Sequence, residues 1–283
     1  MKNIRFSIEN PVFQAWFCIL DKSPTKAWEQ PVLTFIDSFG KAKLSDEDID
    51  QCNFFMCNLA RYIYAKHPAD EPDDGLTIKQ EMLRATEIAK QGKIYKPKIK
   101  VTKQFEQRLS SGIPKKLQWG FCAVVEFSRN FDKFIERTIN LKPETTILQI
   151  LETTTVEQIF PDNWEPDPSD PWHEVVHNNE PDGWNDRKIR KTLKTIGNLI
   201  LIEQDIHQNT TKICKGNFFG ERKNPEIHNN YRDSIFGEVL FISLECHAHY
   251  DISWSYSFYM YRQRYSIKRL IDFFSGINKY ILR

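Results

Sequence analysis

One stretch, residues 45–67, decides the architecture. Ser45-Asp46-Glu47-Asp48 has the form of a capping box, in which a hydroxyl and a carboxylate three residues apart satisfy the first free N–H groups of a helix. Ile49, Cys52, Met56, Leu59 and Ile63 then recur at three- and four-residue steps, which gathers them on one side of a helix but scatters them over both faces of a strand. Pro68 ends the run, and the acidic stretch Asp70-Glu71-Pro72-Asp73-Asp74-Gly75 follows. The same signals predict a second helix after Thr77, with Gln80 closing another box, Met82 and Ile88 facing inward, and an end near Gly92. Lys93 to Lys103 is basic and interrupted by proline, and reads as a connector. A third helix is expected from Lys115 to Thr138, with Pro114 at its first turn. Residues 1–150 should therefore form a helical region, and the chain a mainly α fold without a large sheet.

Composition changes near residue 152. Thr153-Thr154-Thr155-Val156 is β-branched and favours a strand. Pro161 to Asp186 then carries eight acidic residues and no Lys or Arg, together with several prolines, three tryptophans, His173 and His177. Such a long irregular segment is more often functional than merely connecting. From Arg187 to Lys223 nine basic residues face three acidic ones, a concentration that suits phosphate contact or, equally, a solvated charged face.

Several classes are excluded early. Thirty-nine Lys and Arg against 38 Asp and Glu give a formal charge of +1, so a globally basic coat for nucleic acid is absent, although a local basic face is not. The longest apolar runs, such as Phe121-Cys122-Ala123-Val124-Val125, fall far short of the roughly 20 residues of a membrane span. Met1-Lys2-Asn3-Ile4-Arg5 lacks the long apolar stretch of a secretory signal, so none is expected. A cytoplasmic protein with no membrane partner is expected. The six cysteines show no CxxC pair, and Cys52 and Cys122, in apolar helical stretches, are expected as buried reduced thiols. Neither a GxxxxGK[ST] phosphate loop nor a dinucleotide-binding glycine fingerprint occurs.

Chemistry concentrates after residue 155. Val156-Glu157-Gln158-Ile159-Phe160-Pro161 is a strand end; Ile196-Gly197-Asn198-Leu199-Ile200-Leu201-Ile202 is a turn entering a second strand; Ile206-His207-Gln208-Asn209 through Lys212 suits a helix. Strand, loop, strand, helix in this order resembles the ββα-metal, or His-Asn-His, nuclease motif. In that family a segment of the form Asp/Glu-His-Ile-x-Pro ends the first strand, and an Asn-Leu pair precedes the last Asn or His by nine positions, as Asn198 precedes His207 here. Downstream, Asn217-Phe218-Phe219-Gly220-Glu221-Arg222-Lys223, Tyr231-Arg232-Asp233-Ser234, and Trp254 followed by Arg262 extend the likeness to the C-terminal nuclease domain of GmrSD-type modification-dependent restriction enzymes. It covers roughly residues 115 to 270 and places the nuclease region, with its closing helices, at 151–283 behind the helical region 1–150.

The resemblance implies a helical scaffold with an embedded ββα-metal element that hydrolyses DNA phosphodiester bonds in bacterial anti-phage defence. Glu157 and His207 would hold a divalent metal, Mg²⁺ or Mn²⁺, and Asn198 would brace the loop and orient the base. Lys212, Lys215, Asn217 and Lys223 would meet nucleic-acid backbone. Full GmrSD-type proteins carry a nucleotide-dependent domain whose features are missing from residues 1–150, so an NTP-using sensor would have to come from another chain.

Gln158 departs from the pattern, standing where the family has its general-base histidine. An amide orients water but cannot accept a proton at neutral pH, and losing a general base costs on the order of 10²–10⁴ in rate. Three possibilities follow: His173 or His177 substitutes as base; metal-bound hydroxide suffices; or the domain has lapsed and only binds nucleic acid or a partner. Plainer roles stand beside each residue. Gln158 bonds backbone, Asn198 serves a turn, His207 is a satisfied helical histidine, and His173 and His177 decorate a loop. His247 and His249 share a face only on a strand, and the aromatic run from Trp254 to Tyr265 is better explained by core packing than by base stacking.

Overall fold

The structure is a computed structural model. It describes residues 8–66, 77–160, 184–206, 234–248 and 256–277. Within these the chain is mainly helical: α1 (Pro11–Asp21), α2 (Glu29–Asp37), α3 (Asp46–Lys66), α4 (Ile78–Lys90), α5 (Lys103–Ser111), α6 (Lys115–Leu141), α7 (Ile147–Thr153), β1 (Thr154–Gln158), α8 (Asp186–Thr192), a 3₁₀ turn (Ile196–Asn198), β2 (Leu199–Glu203), α9 (Gly237–Ala248) and α10 (Tyr256–Ser275).

The caps written in the sequence form. Ser45 N donates to Asp48 Oδ2 at 2.8 Å, and Lys41 reaches the same carboxylate at 2.8 Å. Lys41 first, then Ser45, hold the Asp48 carboxyl down at about 2. At the start of α4, Thr77 Oγ1 accepts from Gln80 N while Gln80 Oε1 accepts from Thr77 N. Gly92 lies two residues past the end of that helix, and its positive φ of 64° is left-handed backbone that glycine adopts without strain. Residues 93–102 form neither helix nor strand.

The longest helix is the axis of the packing. Residues 119–128 of α6 are buried on every side, because α1, α3, α9, α10 and both strands lie against it. Gly120 permits the closest of these approaches: a Cβ there would run into the Tyr64 ring of α3, whose hydroxyl donates to the Ile19 carbonyl at 2.8 Å. One apolar cluster runs from Ile8 to Phe274, so the composition change near residue 152 does not divide the core. Cys52 and Cys122 are buried within it, and burial pushes both thiols up to about 12, away from any thiolate chemistry at neutral pH. No described helix is long and apolar enough to cross a membrane.

Among the described residues the sheet has two strands. β1 pairs antiparallel with β2 in the register Thr154↔Glu203 to Gln158↔Leu199. All five residues of β2 are buried, which is why Leu199-Ile200-Leu201-Ile202 is continuously apolar rather than alternating. Residues 204–206 turn helical directly after β2, and the helix expected through Lys212 otherwise lies outside the described residues.

Candidate functional site

Glu157 and Gln158 end β1 on opposite faces, as neighbours in a strand must. Glu157 faces Ile200 across the pair and is 2% exposed. Gln158 is half-buried, and its Nε2 donates to the Leu193 carbonyl at 3.3 Å. The residue at the family's base position is thus engaged with backbone.

Asn198 is fully buried, and every polar group of its amide is used. Oδ1 accepts from Phe160 N at 2.7 Å, while Nδ2 donates to the Phe160 carbonyl at 3.0 Å and to the Leu193 carbonyl at 3.2 Å. Its own carbonyl accepts from Ile159 N at 2.9 Å, extending the strand pairing by one bond. The side chain therefore clasps the backbone where the chain leaves β1 to the turn where it enters β2. Aromatic rings reinforce this closure: Phe160, just before the acidic segment, and Trp184, near its end, have centroids 5.1 Å apart, and Trp184 also meets Tyr256 and Tyr259 of α10.

A bracing role and a simple turn role for Asn198 predict different costs. Asn198→Ala removes three hydrogen bonds of a buried amide, two of them to Phe160 and one to the Leu193 carbonyl, which keeps only Gln158, so the free energy of unfolding in urea should fall by about 2–4 kcal/mol. Asn198→Asp keeps the acceptor but turns an oxygen toward two carbonyls, and should be no more stable than the alanine variant. A loss below about 1 kcal/mol for both, the size expected of one ordinary hydrogen bond, would contradict the clasp.

Gly197 owes its identity to α10. Its N–H donates to Gln263 Oε1, and a Cβ would come within 2.9 Å of the Gln263 Cα, backbone that cannot swing aside. Arg262, 2% exposed, caps the same turn, with Nη1 on the carbonyls of Ile196 (2.9 Å) and Gly197 (2.6 Å) and Nη2 on that of Leu199 (2.9 Å). Its charge is met by Glu238 of α9 at 3.3 Å. Ser234, from the Tyr-x-x-Ser stretch, donates to Glu203 Oε2 at the far end of β2 at 2.8 Å, and Glu203 Oε1 accepts from Ile235 N at 2.7 Å. Burial pushes the Glu203 carboxyl above its ordinary range against these bonds. Gly197, Asn198, Ser234 and Arg262, read as separate pieces of one signature, thus belong to a single buried frame.

Glu126 of α6 completes this frame by capping α9, with Oε1 accepting from Gly237 N at 2.6 Å and Oε2 from Glu238 N at 2.9 Å. Burial first, and the Glu238 carboxylate second, push its carboxyl up to about 8, while the two N–H groups and Arg262 pull the other way. The folded chain then keeps a proton that the unfolded chain, with an ordinary value near 4.5, has released. This contribution to stability is complete below about 4.5 and is lost as pH rises through about 8. Urea midpoints should fall between pH 6 and 9, and Glu126→Gln should flatten that slope whatever it costs in absolute stability. Parallel slopes for the two proteins would contradict the assignment.

Of the other residues expected to act, His207, His173, His177, Lys212, Lys215, Asn217 and Lys223 lie outside the described residues. Residue 247 belongs to α9, so the strand geometry that a His247–His249 pair would need is not present at that position. In the aromatic run Tyr259 is core, whereas Tyr261 is 58% exposed. Among the described residues no group of three or more His, Cys, Asp or Glu is placed to hold a metal ion. Glu126, Glu238 and Gln263 were not marked by any sequence pattern, since Glu126 and Gln263 act on backbone, and Glu238 on Arg262, far away in the chain.

The fold and the site together define a mainly α protein carrying a two-stranded hairpin that is closed by an asparagine clasp and locked by the last described helix. No family model, no curated protein and no solved structure with which the chain was compared matches it.

Proposed function

We propose that the chain is a metal-dependent DNA endonuclease of the His-Asn-His type, acting in bacterial anti-phage defence, with a ββα-metal element formed by β1, β2 and the helix that begins at residue 204. The observation that carries this reading is the Asn198 clasp, because it does for the hairpin what the family's asparagine is expected to do. Support also comes from the meeting of Gly197, Ser234 and Arg262 in one frame with it.

The donor chemistry fits a divalent cation: Glu157 offers a buried carboxylate on β1, and His207, four residues beyond β2, offers an imidazole. Such a cation, Mg²⁺ or Mn²⁺, would neutralise charge on the scissile phosphate and acidify bound water. Asn198 fixes the exit of β1 relative to the entry of β2, and so holds Glu157 and Gln158 in register with the turn. Gln158 orients but does not accept a proton, which leaves proton removal to His173 or His177 or to hydroxide. Lys212, Lys215, Asn217 and Lys223 contact phosphates, and an NTP-using sensor protein supplies target selection.

A second reading, favoured by the bond from Gln158 to the Leu193 carbonyl, is a lapsed domain that binds nucleic acid or a partner without cutting. Incubation of the purified chain with plasmid and divalent metal separates the two, since salt-sensitive binding without nicking supports the second alone. Absence of any co-purifying ATPase or sensor protein would count against the partner.

A further inference from the structure

The four cations Lys66, Lys98, Lys100 and Arg108 line one small cleft of about 40 Å³ that is open to solvent, far along the chain from the hairpin. Lys66 ends α3, Lys98 and Lys100 lie on the connector, and Arg108 is on α5. Thr102 and Gln104, at the first turn of α5, supply polar groups, and among the described residues no Asp or Glu lines the cleft. Among the described residues no carboxylate pairs with Lys98, Lys100 or Arg108. Lys98, Lys100 and Arg108 are like charges brought together, which repel one another, and a bound anion relieves that repulsion.

The connector is built to present these charges. Lys96, Lys98, Lys100 and Thr102 are exposed, while Tyr95, Pro97, Ile99 and Val101 turn inward or are half-buried, the alternation of an extended chain. Its start is fixed: the Tyr95 carbonyl accepts from Asn58 Nδ2 at 2.9 Å, and the Tyr95 hydroxyl donates to Glu81 Oε1 at 2.8 Å. Lysines two residues apart on such a chain are spaced by about 6.6 Å, a repeat comparable with that of successive phosphates along a nucleic-acid strand. The α5 dipole adds positive potential at the same end, where Thr102 Oγ1 already caps Phe105 N.

We infer that this cleft and its lysine row form a second nucleic-acid contact, one that binds phosphodiester backbone without reading sequence. The choice of nucleic acid as the phosphate source rests on the proposed function; the affinity for phosphate does not. The test uses the full chain carrying Glu157→Ala, so that cleavage cannot intervene, and fluorescence anisotropy of a labelled DNA duplex over a range of NaCl. Lys98→Ala/Lys100→Ala/Arg108→Ala should keep the thermal unfolding midpoint, weaken binding at low salt at least roughly tenfold, and reduce the slope of log K against log salt by about 2–3, one phosphate per lost cation. Lys98→Arg/Lys100→Arg should retain both values. An unchanged slope in the alanine variant overturns the inference. So does stabilisation of the wild type by inorganic phosphate that the alanine variant loses while its DNA binding stays intact, since that assigns the cleft to a free phosphate. Cleavage is read separately: a chain that cuts nothing yet shows this loss of slope sinks the nuclease reading and keeps the cleft.

Discussion

Arg262→Met lowers the free energy of unfolding by about 3–5 kcal/mol, the cost of removing one partner from a buried ion pair. Methionine keeps the packing of the arginine stem, so the loss is confined to the guanidinium end. It comes from three carbonyls, those of Ile196, Gly197 and Leu199, and from the Glu238 carboxylate, all left in the core without the guanidinium. Adding Glu238→Gln to Arg262→Met recovers only the share of the carboxylate, which keeps Arg129 at 3.7 Å, because the Gly197 and Leu199 carbonyls still lack the guanidinium. Urea unfolding of the two variants measures both parts. A loss under about 1 kcal/mol, typical of exposed pairs, would mean that the turn before β2 holds without α10. The Asn198 clasp would then have no rigid base.

What could be read from the chain was local. A hydroxyl and an amide three residues apart announced the box at Thr77 and Gln80, and the stripe from Ile49 to Ile63 announced α3, because both patterns close within a few turns of helix. The run Thr153–Val156 marked β1, apart from Thr153, which completes α7 instead of opening the strand. Shorter helices such as α1, α5 and α7 were not resolved individually; at 11, 9 and 7 residues they offer few turns of periodicity. In the site, Gly197-Asn198 was legible as a pair, but the reasons for it were not. The clasp reaches 38 residues back to Phe160, and the partner that excludes a Cβ from Gly197 lies 66 residues on, at Gln263. Buried Glu126 and Glu238 look like any surface glutamates in sequence, since what distinguishes them is the Arg262 and the helix end that they meet only after folding.

The proposed nuclease requires Glu157 and His207 to act as one metal site at the Asn198-braced hairpin. Supercoiled plasmid incubated with the full chain in Mg²⁺ and in Mn²⁺, beside Glu157→Ala and His207→Ala, measures this directly. Divalent-dependent nicking or linearisation is expected of the wild type, with a loss on the order of 10²–10⁴ or more in each variant, the scale of a removed catalytic group. Unperturbed folding of both variants, checked by their thermal midpoints, would assign that loss to the site. No cleavage by the wild type in either metal, or cleavage equal in all three proteins, would contradict it.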